Sequence, residues 1–397
     1  MIDLGHPTFW RATLALCLGS FMIFANVYVT QPLLPMLAQD FQVSALQAGW
    51  SFTVTTLTLG LSLLLYGPLS DALGRRGIML LTMAGTTLTT TALAFVDNFT
   101  TLVILRAVQG FFLGGLPAIA IAYMGDEFSR KAVAVAVGLY ISGNSLGGIG
   151  GRLIGGFVGE WMGWSSAFAV MSGVSLVCLV VFALALPKSE HFKAQSLHPA
   201  RMLRDLGAHL RNPLLVVAYI IGGLNFFIFV NQYSYITFVL SEAPYNLSTA
   251  FLGLLFLTYL TGTFGSAISG RVAMKLAQPW CMALGILILI AGSLLTLSHS
   301  IELIIAGFFI NSFGFFFAHS SASSWVSHNA THAKASASSL YLVFYYIGAS
   351  SGGFYLHPFW ERAGWSGVVF GSLLVLAVTL ACACWLATRR RPVLAAA

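Results

Sequence analysis

Arg106, Arg152 and His319 are the residues of this 397-residue chain whose chemistry most needs explaining, because each lies inside a long apolar run. Burying an arginine at the centre of a membrane-spanning helix costs at least ~2.5 to 3.5 kcal/mol on insertion scales. Arg106 stands about seven residues in from the outer end of its run and Arg152 about six from the outer end of the next. At 1.5 Å per residue, both guanidinium groups start roughly 10 Å below the surface. One reading has them reach outward along their own stems or pair with Glu160 or Asp97. The functional reading gives Arg152 the attraction of an anionic or zwitterionic solute. His319 is a candidate proton carrier, since an imidazole ordinarily titrates near pH ~6.5; the serines beside it offer a structural alternative. Of the twelve acids, Asp40, Asp97, Glu160, Glu242, Glu302 and Glu361 sit at outer helix ends, and Asp3, Asp71, Asp126, Glu127, Glu190 and Asp205 at the inner surface. No carboxylate lies mid-run, so the simplest exchange of a proton for a cation on one buried acid is excluded.

A wider polar and aromatic set shares these runs: Asn26, Tyr28 and Gln31; Asn144, on one face with Arg152; Asn225, Asn231, Gln232, Tyr233 and Tyr235; Asn311; and Tyr341, Tyr345 and Tyr346. Singly, such side chains act as glue between helices. Together they suit an amphipathic cavity for an aromatic or polyhydroxylated molecule. Span 5 also carries Gly143, Gly147, Gly151, Gly155 and Gly159, a four-residue step that lets two helix backbones approach closely.

The elements that hold these residues follow from composition. The chain is 58% hydrophobic and 8% charged, where a soluble domain carries about 25% charged residues; it is an integral membrane protein. Runs long enough to cross a ~30 Å core occur at 11 to 38, 46 to 66, 77 to 96, 99 to 124, 131 to 158, 164 to 186, 213 to 241, 248 to 270, 279 to 298, 301 to 326, 335 to 359 and 365 to 388. Sixteen lysines and arginines fall on one side of these spans and Arg362 alone on the other, which places both termini in the cytoplasm. The net charge of +7 is thereby a membrane address, and nucleic acid is excluded as a partner. The five cysteines lie in apolar runs without metal-ligand spacing.

The domain reading is a six-helix bundle over 1 to 186, a cytoplasmic linker over 187 to 211 and a second bundle over 212 to 397. In the linker, Pro199, Met202, Leu203, Leu206 and Leu210, interleaved with Arg201, Arg204 and Arg211, suit an amphipathic surface helix. A shift of 201 positions superposes Leu139-Tyr140 on Leu340-Tyr341, Gly147 on Gly348, Gly151 on Gly352, and Gly163-Trp164-Ser165 on Gly364-Trp365-Ser366. These are parallel repeats, with substrate expected near the midplane between the halves. Arg106 and Arg152 fall opposite Gly307 and Gly353, so neither charge is demanded by the repeat.

Between spans 2 and 3 lies G-P-L-S-D-A-L-G-R-R, in which Gly67, Asp71, Gly74, Arg75 and Arg76 crowd a very short polar turn. With the two six-helix repeats, this turn resembles the signature of the major facilitator superfamily, and the resemblance covers essentially the whole chain. Three further matches resemble its twelve-helix drug:proton antiporter branch: Pro32-Leu33-Leu34-Pro35 at the end of span 1, Arg106, Gln109 and Gly110 in span 4, and Gly143-Asn144 with Gly147-Gly148 in span 5, where asparagine replaces that pattern's proline. The segment from Gly138 to Gly151 and that from Ala318 to Trp325 are similar to bacterial inner-membrane permeases of the arabinose-efflux type.

The resemblance implies an all-α membrane protein of the major facilitator fold, twelve transmembrane helices in two pseudo-symmetric six-helix bundles working by alternating access. It implies proton coupling through Arg106, a gating latch at the Gly67 to Arg76 turn, and a span 5 glycine stripe facing span 8, where Gly262, Ser266 and Gly270 offer small residues. In the turn, Gly67 is expected to admit a neighbouring helix, Asp71 to meet the N-terminal end of span 11, and Arg75 and Arg76 to pair with Asp126 or Glu127. The expected function is proton-coupled efflux of a small organic solute, drug-like, sugar-like or a metabolite, with a proton-coupled importer or organic-anion or sugar exporter as the alternative and a non-transporting receptor behind both. No phosphate-binding loop is present for ATP. The expected partners are solute, protons and lipid, for a monomer in the bacterial inner membrane without a cofactor. It is not expected to be an enzyme.

Overall fold

Proline and glycine decide where the apolar runs bend. In the computed structural model, which describes residues 1–192 and 199–389, span 1 is a helix over Pro7–Tyr28, a single 3-10 turn over Gln31–Leu33 and a short helix over Leu34–Asp40. Pro32 and Pro35 lack the N–H groups that would continue the first helix, so it breaks there. Span 2 (Ala45–Leu73) opens on a reciprocal cap between Ser44 and Gln47. Span 3 is Arg75–Leu93, span 4 is two helices, Phe99–Leu113 and Gly115–Glu127, and span 5 is Arg130–Met162. Span 6 (Trp164–Ala185) follows at Gly163, whose φ of +84° favours glycine. After the surface helix Pro199–Leu210 come span 7 (Pro213–Ser241), span 8 (Thr249–Leu255, Phe256–Thr258 and Tyr259–Val272), span 9 (Gln278–Leu295) and span 10 (Ile301–Asn329). Spans 11 and 12 together cover Lys334–Thr388, broken by a kink at Ala363 and at Gly364, whose φ is +55°. Gly163 and Gly364 are repeat equivalents, so the same backbone device separates the last two spans of each half.

Among the described residues ten segments satisfy the length and hydropathy of a membrane span, and the longest of them holds both spans 11 and 12. Span 3 falls outside that set because six threonines dilute it. Thr82, Thr87, Thr89, Thr90 and Thr91 return their hydroxyls to carbonyls four residues back, so these five cross lipid without an orphaned group. Among the described residues twelve helical spans result, and the only β feature is an isolated bridge between Ile2 and Phe128. The linker residues 193–198 and the tail 390–397, with Lys193, Arg390 and Arg391, lie outside the described residues.

The helices group into two compact units. One joins Met1–His198 to Tyr233–Leu257, and the other joins Pro199–Gln232 to Thr258–Ala397. Residues 233–257, from the second half of the chain, thus pack with the first six spans.

In the first unit the span 5 glycines meet span 1, which corrects the expectation that they face span 8. A Cβ at Gly143 would lie 2.6 Å from the carbonyl oxygen of Cys17, and Cβ atoms at Gly147, Gly151 and Gly155 would collide with the carbonyls of Phe21, Ala25 and Val29. Both helices advance four residues per contact, so the backbones run in register. Gly156, on the adjacent face, is the glycine whose backbone meets span 8, at Thr249 and Gly253. In the second unit Gly348 and Gly352, repeat equivalents of Gly147 and Gly151, press on Gly223 and Phe227 of span 7. The small residues of span 8 turn to span 10: Gly262 abuts the Phe316 ring, and the Ser266 hydroxyl donates to the Phe316 carbonyl. Gly285, Gly292, Gly307 and Gly314 interlock spans 9 and 10 backbone to backbone, which explains why Gly307 stands opposite Arg106 in the repeat.

Candidate functional site

Breaking span 1 at Val29 leaves carbonyls of its last turn without helical partners, and Arg106 takes them. Its side chain is 0% exposed, so it does not reach outward. Nη1 donates to the Asn26 carbonyl (2.9 Å) and to Gln109 Oε1 (2.5 Å), and Nη2 to the Val27 carbonyl (3.0 Å) and Thr30 Oγ1 (3.3 Å). Nε donates to the Ser51 carbonyl of span 2 (2.9 Å). A guanidinium has five N–H donors, and all five are engaged by uncharged oxygens. Gln109 continues the network to Thr90 of span 3 and Asn26, and Asn26 donates to Met22 and to Ser175 of span 6. Gly110 has no side chain because a Cβ would collide with Thr55 and Thr58 of span 2. Asn26 is therefore corrected: its amide is consumed inside the first unit and is not held open for a solute. Thr90 and Ser175 escaped sequence reasoning because a hydroxyl in an apolar run has no distinguishing pattern.

Arg152 is likewise buried, at 1% exposed, and so does not reach outward either. Nε and Nη2 both donate to Gln31 Oε1 (2.8 and 2.6 Å), and Nη1 to the Gly148 carbonyl (3.0 Å). The guanidinium carbon lies 4.0 Å from the ring centre of Tyr28 and 4.4 Å from that of Phe256. A desolvated cation between two rings gains about 2 kcal/mol or more from their faces. Gln31 then donates to the Ser234 hydroxyl (3.2 Å). Glu160, considered from sequence as a partner for Arg152, accepts from the backbone N–H of Ala250 (2.7 Å) and caps the start of span 8. Gln31, Arg152 and Glu160 thus bind residues 233–257 to the first six spans, at the end of the unit remote from the Gly67 to Arg76 turn. Asn144 lies half-buried two turns before Arg152, and Tyr235 is 4% exposed in the same unit.

The second unit holds His319, half-buried, with Nδ1 2.9 Å from the Tyr341 hydroxyl; this tyrosine takes the place expected of the neighbouring serines. The His319 ring lies 4.7 Å from that of Tyr345 and nearly parallel to Phe315 at 5.8 Å. Gln232 Oε1 accepts from Ser293 and Asn311 (3.1 and 2.9 Å), joining spans 7, 9 and 10 as Asn26, Thr90 and Gln109 join spans 1, 3 and 4. Asn225 is 0% exposed, and both of its amide atoms are without a hydrogen-bond partner. The sequence-selected residues thus fall into two separate clusters, Tyr28, Gln31 and Arg152 in one unit and Asn225, His319, Tyr341 and Tyr345 in the other.

Over residues 16–353 the chain matches the family model described as Major Facilitator Superfamily. The chain belongs to that superfamily. It is 39% identical over 376 residues, 95% of this chain and 93% of the relative, to the uncharacterized MFS-type transporter YybF of Bacillus subtilis (strain 168). It is 37% identical over 380 residues, 96% of this chain and 91% of the relative, to the inner membrane transport protein YnfM of Escherichia coli (strain K12). A crystal structure of the nucleoside transporter NupG, solved as a point mutant, shares the fold at a TM-score of 0.77 and 15% identity, covering 96% of this chain and 100% of that one. The protein is a multi-pass membrane transporter of the major facilitator fold, not an enzyme.

The superfamily's signature turn has a physical reason at each position but one. Gly74 has φ +104° and ψ 139°, a conformation costly for any residue with a Cβ, and it ends span 2 while starting span 3. Arg75 donates to Asp71 (2.6 Å) and to Asp126 at the end of span 4 (2.5 Å), so Asp71 finds a partner within the turn itself. Arg76 donates to the carbonyls of Ala183 (2.6 Å) and Leu186 (3.0 Å), closing the C-terminal end of span 6. Glu127, buried, receives both the backbone N–H and the ring of His191 and so anchors the linker, a role the arginine-pairing expectation did not foresee. Gly67 is a further correction: a Cβ there meets no described atom within 4 Å, so it admits no neighbouring helix. Replacing Gly67 by alanine is expected to leave stability unchanged or to raise it by up to about 0.5 to 1 kcal/mol through helix propensity. Gly74→Ala is expected to lower stability by on the order of 1 kcal/mol or more. Thermal unfolding of the two purified variants checks the contrast, and equal effects would contradict it.

Proposed function

We propose that this transporter exports a small organic solute against an inward flow of protons, with both termini in the cytoplasm, as a monomer of the drug:proton antiporter branch. The observation that carries the reading is the convergence on span 1 of all three branch-like motifs. Pro32 and Pro35 break that span, Arg106 and Gln109 fasten the broken end to spans 2 and 4 while Gly110 lets span 4 close on span 2, and the span 5 glycines lie along the backbone of span 1. Residues far apart in sequence thus build one rigid joint in the helix that must tilt during alternating access.

In this reading Arg106 couples mechanically, by keeping the joint intact. His319 carries the proton, being an imidazole well inside a span that keeps part of its surface exposed. Arg152 with Gln31, Tyr28 and Phe256 is the lock at the outer end. Opening exchanges these partners for another acceptor, which an anionic, zwitterionic or carbonyl-bearing solute supplies. The Gly67 to Arg76 turn is the latch at the inner end. Import with the same machinery is the second reading, favoured by Asn144 in place of the antiporter proline.

Proteoliposomes with an imposed pH gradient test the proposal. Solute efflux accompanied by proton uptake is expected. His319→Gln, which retains a hydrogen-bonding side chain but cannot titrate, is expected to lower gradient-driven flux at least tenfold while solute-for-solute exchange persists. Full gradient-driven flux in His319→Gln would remove the proton assignment, and co-directional movement of solute and protons would reverse the direction.

A further inference from the structure

Asn225 is the side-chain amide among the described residues that is fully buried with both its oxygen and its nitrogen lacking a hydrogen-bond partner. Gln232 and Asn311 each lack a partner at one atom but are bonded through the other. Each orphaned group costs roughly 1 to 3 kcal/mol. An apolar residue of similar size would avoid that cost, so folding alone does not account for an asparagine here.

Its surroundings follow from the helix. Residues 222, 225 and 229 share one face of span 7, spaced three and four apart. Gly222, without a side chain, lies under the Tyr341 ring. Phe229 stacks on Phe315 with ring centres 3.9 Å apart and planes 3° from parallel. Tyr341 in turn bonds His319, which is half-buried and whose ring is 14° from parallel to Phe315. Asn225 therefore shares its face of span 7 with positions that pack on flat rings of spans 10 and 11 in the second unit. Flat rings on this face favour a planar apolar body as their neighbour. The amide offers one donor and one acceptor side by side, which match an acceptor and a donor on the same edge of a ligand.

We propose that Asn225 reads the transported solute, and that this face takes a neutral planar ring carrying a hydrogen-bond donor beside an acceptor, as in a lactam, a pyrimidinedione or an aryl carboxamide. The inference rests on the transport reading above and names the substrate class for it.

Thermal unfolding of the purified full-length chain, followed by tryptophan fluorescence, tests it with uracil and nicotinamide as probes. 1,3-Dimethyluracil, flat but without an N–H donor, is the control. At least one probe is expected to raise the midpoint by an amount that grows with the logarithm of its concentration, and the control is not. Asn225→Leu is expected to raise the ligand-free midpoint and abolish the probe's shift. Asn225→Asp, which keeps acceptors and loses the donor, is expected to weaken the probe at least tenfold. No shift with either probe, an equal shift with the dimethyl control, a shift retained in Asn225→Leu, or a lowered ligand-free midpoint in that variant would each overturn the proposal. Binding requires no pH gradient, so probe binding without coupled proton movement would sink the antiport reading alone. Proton-coupled export confined to solutes lacking the donor-acceptor edge would sink this inference alone.

Discussion

Arg106→Lys is expected to cost both stability and transport although it conserves the charge. A lysine ammonium has three donors on a flexible stem and cannot reproduce the planar five-donor fork. At best it leaves two of the five acceptors unmatched, among them carbonyls of the broken last turn of span 1. At roughly 1 to 3 kcal/mol for each buried group left unmade, the loss is on the order of 3 kcal/mol. Arg106→Ala removes all five bonds and is expected to be worse, with little folded protein recovered. Thermal unfolding of the lysine variant and its flux in liposomes are the measurements, with at least a tenfold loss of flux expected. If Arg106→Lys melted like the native protein, the fastening role would be wrong; if it melted lower yet transported fully, the joint would be structural without bearing on coupling.

The second large effect is expected at Gly151. A single added methyl group would overlap the carbonyl oxygen, carbonyl carbon and Cα of Ala25, which are backbone atoms and cannot rotate aside as a side chain can. The same step repeats at Gly147 and Gly155, so spans 1 and 5 cannot separate at one contact without lifting at the others. Overpacking ordinarily costs about 1 to 3 kcal/mol and more where the neighbour is rigid, so Gly151→Ala is expected to fall at or beyond the upper end. The comparison variant is Gly148→Ala, three residues away on the next face, whose Cβ would stand 3.5 Å from Arg152 Nη1, an ordinary contact. Yield of monodisperse protein and melting temperature distinguish the two. Equal tolerance would show that the backbones are not in the register described.

Both predictions concern residues whose presence was legible in the sequence and whose partners were not. The glycine stripe of span 5 was readable because a four-residue step keeps glycines on one face whatever they meet. It could not name span 1 over span 8, because span 1 offers only ordinary backbone at Cys17, Phe21, Ala25 and Val29, and a carbonyl has no residue-type signature. Arg106 was readable as a buried cation. Its neutral, saturated environment was not, since four of its five acceptors are main-chain oxygens or a hydroxyl. Arg152 shows the same limit: charge alone offered outward reach, an acid or an anionic solute, whereas Gln31 meets its donors and the Tyr28 and Phe256 rings lie against it.

The sequence by itself determined the solvent, the count of spans and the repeat. A chain with 8% charge cannot hide its apolar surface in water, and proline, glycine and polar turns mark each crossing locally. Gly74, Gly163 and Gly364 belong to that legible class, because a positive φ is a property of one residue and its immediate neighbours. Only the tertiary structure decided which helices the small residues bring together, that residues 233–257 pack with the first six spans, and that Asn26 is consumed while Asn225 is left with both amide atoms unpaired. The physical reason is that a hydrogen-bonding side chain in an apolar run looks the same in sequence whether it is satisfied or not. The difference is made by atoms on other helices, placed there by packing.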